Sequence, residues 1–215
     1  MLFGIYAETE TWLTFGFQYG NYWEKVDKPE GTAVSWIGSP GIVLNGYAFW
    51  NKNNIGLFIQ DSFLFPNKSK VTTNGITITD GIKDFDSRFL FQFGIGPGFK
   101  YNISDKFKLY FGLGPNISIM TGSVDKTVYN PLTYLNLRLQ IKTRAISIGI
   151  IGDTGVKYDI SNLFYVAGGL KIGLDFAGHL KIETNIPGVS QSKWNSGYLG
   201  FHLNPYLGIG FNVPF

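Results

Sequence analysis

Few residues of this 215-residue chain could do chemistry. There are two histidines, His179 and His202, and no cysteine, which excludes thiolate nucleophiles, disulfides and cysteine metal sites. The remaining candidates sit at every second position of otherwise apolar or Gly-rich segments: Gln18, Arg88, Gln92, Lys100, Lys108, Asp153, Lys157, Lys171, Asp175, His202, Asn204 and Tyr206. Side chains alternate faces along a strand, so these residues share one face with small residues, and that face is read as an interior. His202 could serve as a base if a nucleophile or a second acid came within hydrogen-bond reach. The simpler reading is a hydrogen-bonded interior histidine. Charges enclosed in a narrow space must be paired or hydrated. Either Asp153 and Asp175 pair with Lys171 and its neighbours in a packed plug, or these side chains line a narrow polar path or gate. Asp80, Asp84 and Asp86 could offer oxygen ligands to calcium, but their spacing is not that of an EF-hand loop, and a solvated loop face is the plainer reading. Gly94-x-Gly-x-Gly is followed by no helix and is not a phosphate loop. No catalytic residue, metal ligand or cofactor site is expected.

These side chains need strands to hold them, and the chain supplies eight. The last is the clearest. From Tyr198 to Phe215 the odd positions carry Leu199, Phe201, Leu203, Pro205, Leu207, Ile209, Phe211, Val213 and Phe215, while the even positions carry Gly, His, Asn or Tyr, with Pro214 the exception. Strand one is placed at 11–23, strand two at 41–50 with ambiguous phase, and strand three at 55–65. In strand three Asp61 would point outward unless a β-bulge after Ile59 flips the phase or the residue lies above the membrane. Strands four and five, 88–101 and 107–119, form a hairpin. Strand six is one long strand over 134–157 with a bulge near Thr143, and strand seven spans 164–176. Connections are short at 51–54, 102–106 and 158–162. They are long, and read as loops, at 24–40, 66–87, 121–133 and 177–197. Met1–Ala7 is mostly apolar and has the form of a secretory-signal remnant or a disordered N-terminus, leaving 8–215 as one domain.

Alternation alone does not say which face is inside, because a soluble lipocalin-type barrel alternates too. Three features place the apolar face outward. The second face mixes Gly with polar residues, as a crowded interior requires and a water-facing exterior does not. The hairpin arms exceed the roughly 9–11 residues a tilted membrane-spanning strand needs. Aromatics gather at strand ends: Trp12, Trp23, Trp50, Tyr101, Phe107, Tyr158, Phe164 and Trp194. Composition agrees, with 17% aromatic residues, 28 glycines, only 15% charged residues and no run long enough for a membrane helix. A net charge of +3 is too small to argue for nucleic acid. Phe93 and Phe211 are expected on the lipid face near mid-membrane.

From about residue 11 the chain resembles the small eight-stranded outer-membrane β-barrel superfamily that includes the OmpA membrane domain, OmpX and OmpW. The resemblance is carried by the strand–turn–strand segment from Gly94 to Pro115 and by the final strand. Gly210, Val213 and Phe215 sit where such barrels place the glycine and two hydrophobic positions of their insertion signal; Gly208 departs from it, since a polar residue is usual there. The resemblance implies a closed eight-stranded antiparallel transmembrane β-barrel, an up-and-down meander in the outer membrane, inserted by the barrel assembly machinery through its last strand. It also implies two kinds of function. One is an OmpW-like narrow passage for small hydrophobic or zwitterionic molecules. The other is a structural or adhesin-type anchor whose loops meet host or envelope components. Lipid-modifying barrels carry a Ser beside their histidine, which His202-Leu203-Asn204 lacks, so an enzyme is not expected.

Overall fold

The computed structural model describes residues 9–28, 31–50, 53–73, 75–130, 135–185, 190–195 and 198–214. Eight long strands form a ring: β1 (Thr9–Lys28), β2 (Gly31–Trp50), β3 (Ile55–Leu64), β6 (Ser87–Asn102), β7 (Phe107–Asn130), β8 (Leu135–Asp159), β9 (Phe164–Thr184) and β11 (Tyr198–Pro214). Each pairs antiparallel with the next, and β11 pairs back to β1, so the sheet has no free edge at this level. Three short strands lie off the ring. β4 (Lys68–Thr73) and β5 (Ile76–Thr79) extend the upper part of β2, and β10 (Gln191–Asn195) pairs with β9.

The paired residues show how the ring closes. Starting at Thr14, partners run through Asn45, Gln60, Gly94, Asn116, Gly149, Asp175 and Gly200 and return to β1 at Glu24, ten positions further along. A stagger of that size in eight strands goes with a strand tilt of about 40° and an interior that side chains can just fill. Every residue of that row belongs to the inward phase. The interior is built by interlocking rings and glycines: a Cβ on Gly210 would lie 2.1 Å from Cζ of Tyr165, and one on Gly112 would lie 2.5 Å from Cγ of Phe58.

Several sequence expectations change. The segments 24–40, 121–133 and 177–197 are not loops over most of their described length. β7 and β8 run 24 and 25 residues, about twice the roughly 9–11 residues of a spanning strand, because strand pairing continues beyond the apolar belt and satisfies the backbone there. Within 66–87 lie β4, β5 and a 3-10 turn at Gly81–Asp84. The phase change in β8 is not a bulge at Thr143; its pairing to β7 runs unbroken through Thr143 and Arg144. Ile141 simply continues the inward phase above the belt, where neither face must be apolar. The irregularity falls instead between Ile148 and Gly149 in the β8–β9 pairing, where Phe176 is the extra residue. Strand two settles with Val43, Asn45, Tyr47 and Phe49 inward. Trp12 is buried, 2% exposed, inside the ring and is no girdle residue. Trp50, Tyr101, Tyr158 and Phe164 do face outward at the short-turn end. Phe211 pairs with Phe164, the first residue of β9, so it lies at the rim and not at mid-height. Met1–Ala7, Phe215 and the side chain of Trp194 lie outside the described residues.

Candidate functional site

The interior polar residues form three tiers. At the short-turn end Trp12 fills the ring. Around it Lys108 Nζ lies 3.0 Å from Glu10 Oε1 and 3.2 Å from Asp159 Oδ2, while Lys100 pairs with Glu10 and Lys157 with Asp159. Lys157 Nζ also sits 4.7 Å from the Trp12 ring and 4.5 Å from that of Tyr165, close enough for cation–π attraction in a desolvated place. A cavity of about 810 Å³ opens below this tier, bordered by Glu10, Lys108, Asp159 and Asn212.

The middle tier centres on Asp153, which is fully buried. It accepts hydrogen bonds from the hydroxyls of Tyr47 at 2.8 Å and Tyr206 at 2.9 Å, and from Asn45 Nδ2 at 3.4 Å. Tyr110 and Tyr206 share a hydroxyl contact of 2.6 Å. Lys171 is the cross-strand neighbour of Asp153, but its ammonium donates to Ser62 Oγ at 3.1 Å and lies over the Tyr206 ring. Ser62 in turn donates to Gln18 Oε1 at 3.3 Å.

The upper tier centres on Asp175. Its Oδ2 lies 2.9 Å from His202 Nε2 and accepts from the Tyr22 hydroxyl at 3.0 Å and from Ser147; its Oδ1 accepts from Asn116 Nδ2 at 3.0 Å. His202 Nδ1 meets the Gln92 amide, and Asn204 Nδ2 donates to Gln92 Oε1 at 2.9 Å. Asp175 therefore pairs with His202, not with Lys171 as the sequence suggested, because the β9–β11 register, with Gly200 opposite Asp175 and Gly173 opposite His202, sets the two side chains diagonally next to each other. Ser, Asp and His are all present, but in an order in which the carboxylate sits between the other two. Ser147 bonds Asp175 and not the imidazole, so the histidine does not face the hydroxyl as it does in a Ser–His–Asp triad.

All twelve sequence-selected interior residues keep the inward phase; ten are buried, and Arg88 and Lys108, towards opposite ends of the ring, are half-buried. Sequence reasoning missed Glu10, Tyr22, Tyr47, Asn116, Ser147 and Asp159, which complete the tiers. Their signal was the same inward parity: Glu10 and Asp159 lie just outside the bounds set for strands one and six, whereas Tyr22, Tyr47, Asn116 and Ser147 lie within strands and were left out of the selection. Between the upper-tier residues Tyr22, Glu24, Leu90 and Ser118 the interior cavity holds about 10 Å³, room for about one water. A barrel with charges inside and, Asp61 apart, Leu, Ile and Phe over the outer wall of its belt inverts the order of a water-soluble one. The chain is an eight-stranded outer-membrane β-barrel. In such barrels the short turns are periplasmic and the long connections extracellular.

No family model matches the chain, and no curated protein matches it. Among solved structures the barrel is similar to a major outer membrane protein from Thermus thermophilus, at 13% identity over 94% of this chain and 99% of that one, with a TM-score of 0.46. It is also similar to Ail, the attachment invasion locus protein of Yersinia pestis, at 12% identity over 95% and 99% of the two chains, TM-score 0.43. The outer membrane protease OmpT from Escherichia coli is similar at 8% identity over 96% and 97%, TM-score 0.44.

Proposed function

We propose that this barrel is a closed anchor that holds a rigid extracellular β-structure against host or envelope components. The observation that supports it is the interior: the tiers are filled by aromatic rings, hydrogen bonds and, at the short-turn end, ion pairs, and the upper cavity holds about one water. An OmpW-like passage would need Asp153, Tyr206 and Tyr110 to part in the middle of the lumen. What stands above the lipid is built to persist. Arg138 grips Asp125 through Nε at 2.8 Å and Nη2 at 2.6 Å, and Gln140 adds a third bond at 3.0 Å, tying the upper β7–β8 hairpin. β4 and β5 widen the sheet beyond the upper part of β2. Binding groups on a rigid scaffold are a common arrangement. The order Ser147–Asp175–His202 supports binding over catalysis. Assembly through the final strand by the barrel assembly machinery is part of the same proposal.

The test joins one measurement on refolded protein and one on cells that display it. Planar bilayers containing the folded barrel should stay silent. Cells displaying it should adhere to a host-cell monolayer and lose adhesion when residues 124–141 are replaced by a short turn. Discrete openings altered by Lys171→Ala would overturn the anchor reading in favour of passage.

A further inference from the structure

Asp61 is out of place. Ile55, Leu57, Ile59, Asp61 and Phe63 share the outward face of β3, while Phe58, Gln60, Ser62 and Leu64 are buried within the ring. Pairing is continuous on both sides, to Leu44 of β2 and Phe93 of β6, so no bulge turns the carboxylate inward. Six residues along a tilted strand put it about 14 Å above Ile55 at the periplasmic rim, near the middle of an apolar belt about 25 Å tall. It makes no hydrogen bond or ion pair with any described residue. Lys171, whose charge reaches it electrostatically, lies inside the lumen and bonds Ser62.

The wall beside Asp61 is also indented. Gly46 faces outward with no side chain, between Leu13 of β1 and Ile59 of β3. The notch has a volume of about 390 Å³, and Leu13, Phe15, Leu44, Ile59 and Phe211 border it, a size within the range of small-ligand sites. A carboxylate at the edge of an apolar notch in lipid calls for a cation that itself dissolves in lipid. A second copy of the barrel offers none: at the outward positions of the ring strands within the belt, the described residues include no Lys, Arg or His.

We propose that this notch binds a membrane-dissolved amphiphile bearing a primary amine. The ammonium pairs with Asp61, and the hydrocarbon lies over Gly46 against Leu13, Phe15, Leu44 and Ile59. The site is independent of the anchor reading, since it faces the bilayer and not the lumen or the extracellular sheet.

Native mass spectrometry of the refolded full chain released from micelles tests this with hexadecylamine and hexadecanol as probes. Wild type should retain one hexadecylamine and no hexadecanol at the same concentration. Asp61→Asn should weaken retention at least tenfold. Gly46→Leu, which keeps the carboxylate but fills the notch, should do the same; a Cβ there meets Leu13 and Ile59 at ordinary distances of 3.4 and 3.6 Å, so the fold tolerates it. Heat-modifiable migration in gels certifies that each variant is folded. Equal retention by wild type and Asp61→Asn, equal retention of the alcohol, or no retained amine would overturn the site. A two-chain mass that Asp61→Asn abolishes would also overturn it, assigning the carboxylate to a self-contact.

Discussion

Asp175→Ala removes the acceptor at the centre of the upper tier, where both Asp175 and His202 are fully buried. Four donors lose a partner, but three have a second one within reach. Tyr22 also contacts Ser147 at 3.3 Å and Tyr198, and Asn116 Nδ2 reaches Ser118 Oγ at 3.2 Å. His202 Nε2 has no other partner among the described residues. Losing a hydrogen bond to a charged group and leaving its buried donor unpaired costs about 1.5–3 kcal/mol. Because the other three donors can re-pair, the expected cost is that of the His202 contact, near the upper figure, about 3 kcal/mol. Urea unfolding from phospholipid vesicles, followed by tryptophan fluorescence, reads it directly. His202→Gln alone and the double variant complete a cycle, with an expected coupling of roughly 1–3 kcal/mol. A single-variant cost below about 1 kcal/mol, or two costs that simply add within about 0.5 kcal/mol, would show that the tier is not a connected network.

Lipid-face arginines should report depth. Leu113→Arg, outward at mid-height, should cost roughly 2–4 kcal/mol in bilayer unfolding, and Phe211→Arg at the rim roughly 0–1 kcal/mol. Phe93→Arg should fall between them, because its cross-strand neighbour is Asp61; equal costs at all three sites would contradict the assigned depths. Gly210→Val should destabilise by about 1–3 kcal/mol through collision with Tyr165, and Tyr165→Ala should relieve part of that cost in the double variant. The Arg138 guanidinium and Gln140 hold the Asp125 carboxyl down from 3.8 to about 2. A depressed carboxyl contributes stability that is present above its unfolded value and lost as pH falls through the folded one. Amide protection at the top of the β7–β8 hairpin should therefore be complete at neutral pH and decline between about pH 4 and 2. Arg138→Gln should remove that decline.

The membrane part of the fold was legible because lipid enforces one apolar face on every strand. The parity of Leu13, Phe89, Leu113 and Leu207 therefore carried through to the structure unchanged. Legibility ended where that constraint ends. Above the belt the chain around Glu24, Val124 and Lys181 is polar or mixed on both faces, and polar segments read as loops although the backbone continues to pair. The site was half legible for a related reason. Parity placed Asp153, Lys171, Asp175 and His202 inside, but partners are set by register. Only the β9–β11 register, which pairs Asp175 with Gly200 and His202 with Gly173, says that Asp175 meets His202 on the diagonal. Asp61 was recognised as anomalous from parity alone, and the structure removed the bulge that would have explained it away.

The tiers that close the lumen also bear on how the wall can be built. Glu10 on β1 neutralises lysines on β6 and β7, Asp153 on β8 is held by Tyr47 on β2, and His202 on β11 meets Gln92 on β6. These partners stand across the ring from one another, so an unclosed ribbon of the same strands would carry Lys100 into the bilayer without the acid it pairs with and would leave Lys108 only Asp159. Each tier is completed only when the β1–β11 seam shuts. Partly assembled sheets are thus penalised at every level, and insertion is driven toward an all-or-none event in which the last hydrogen-bonded seam and the first neutral interior arise together.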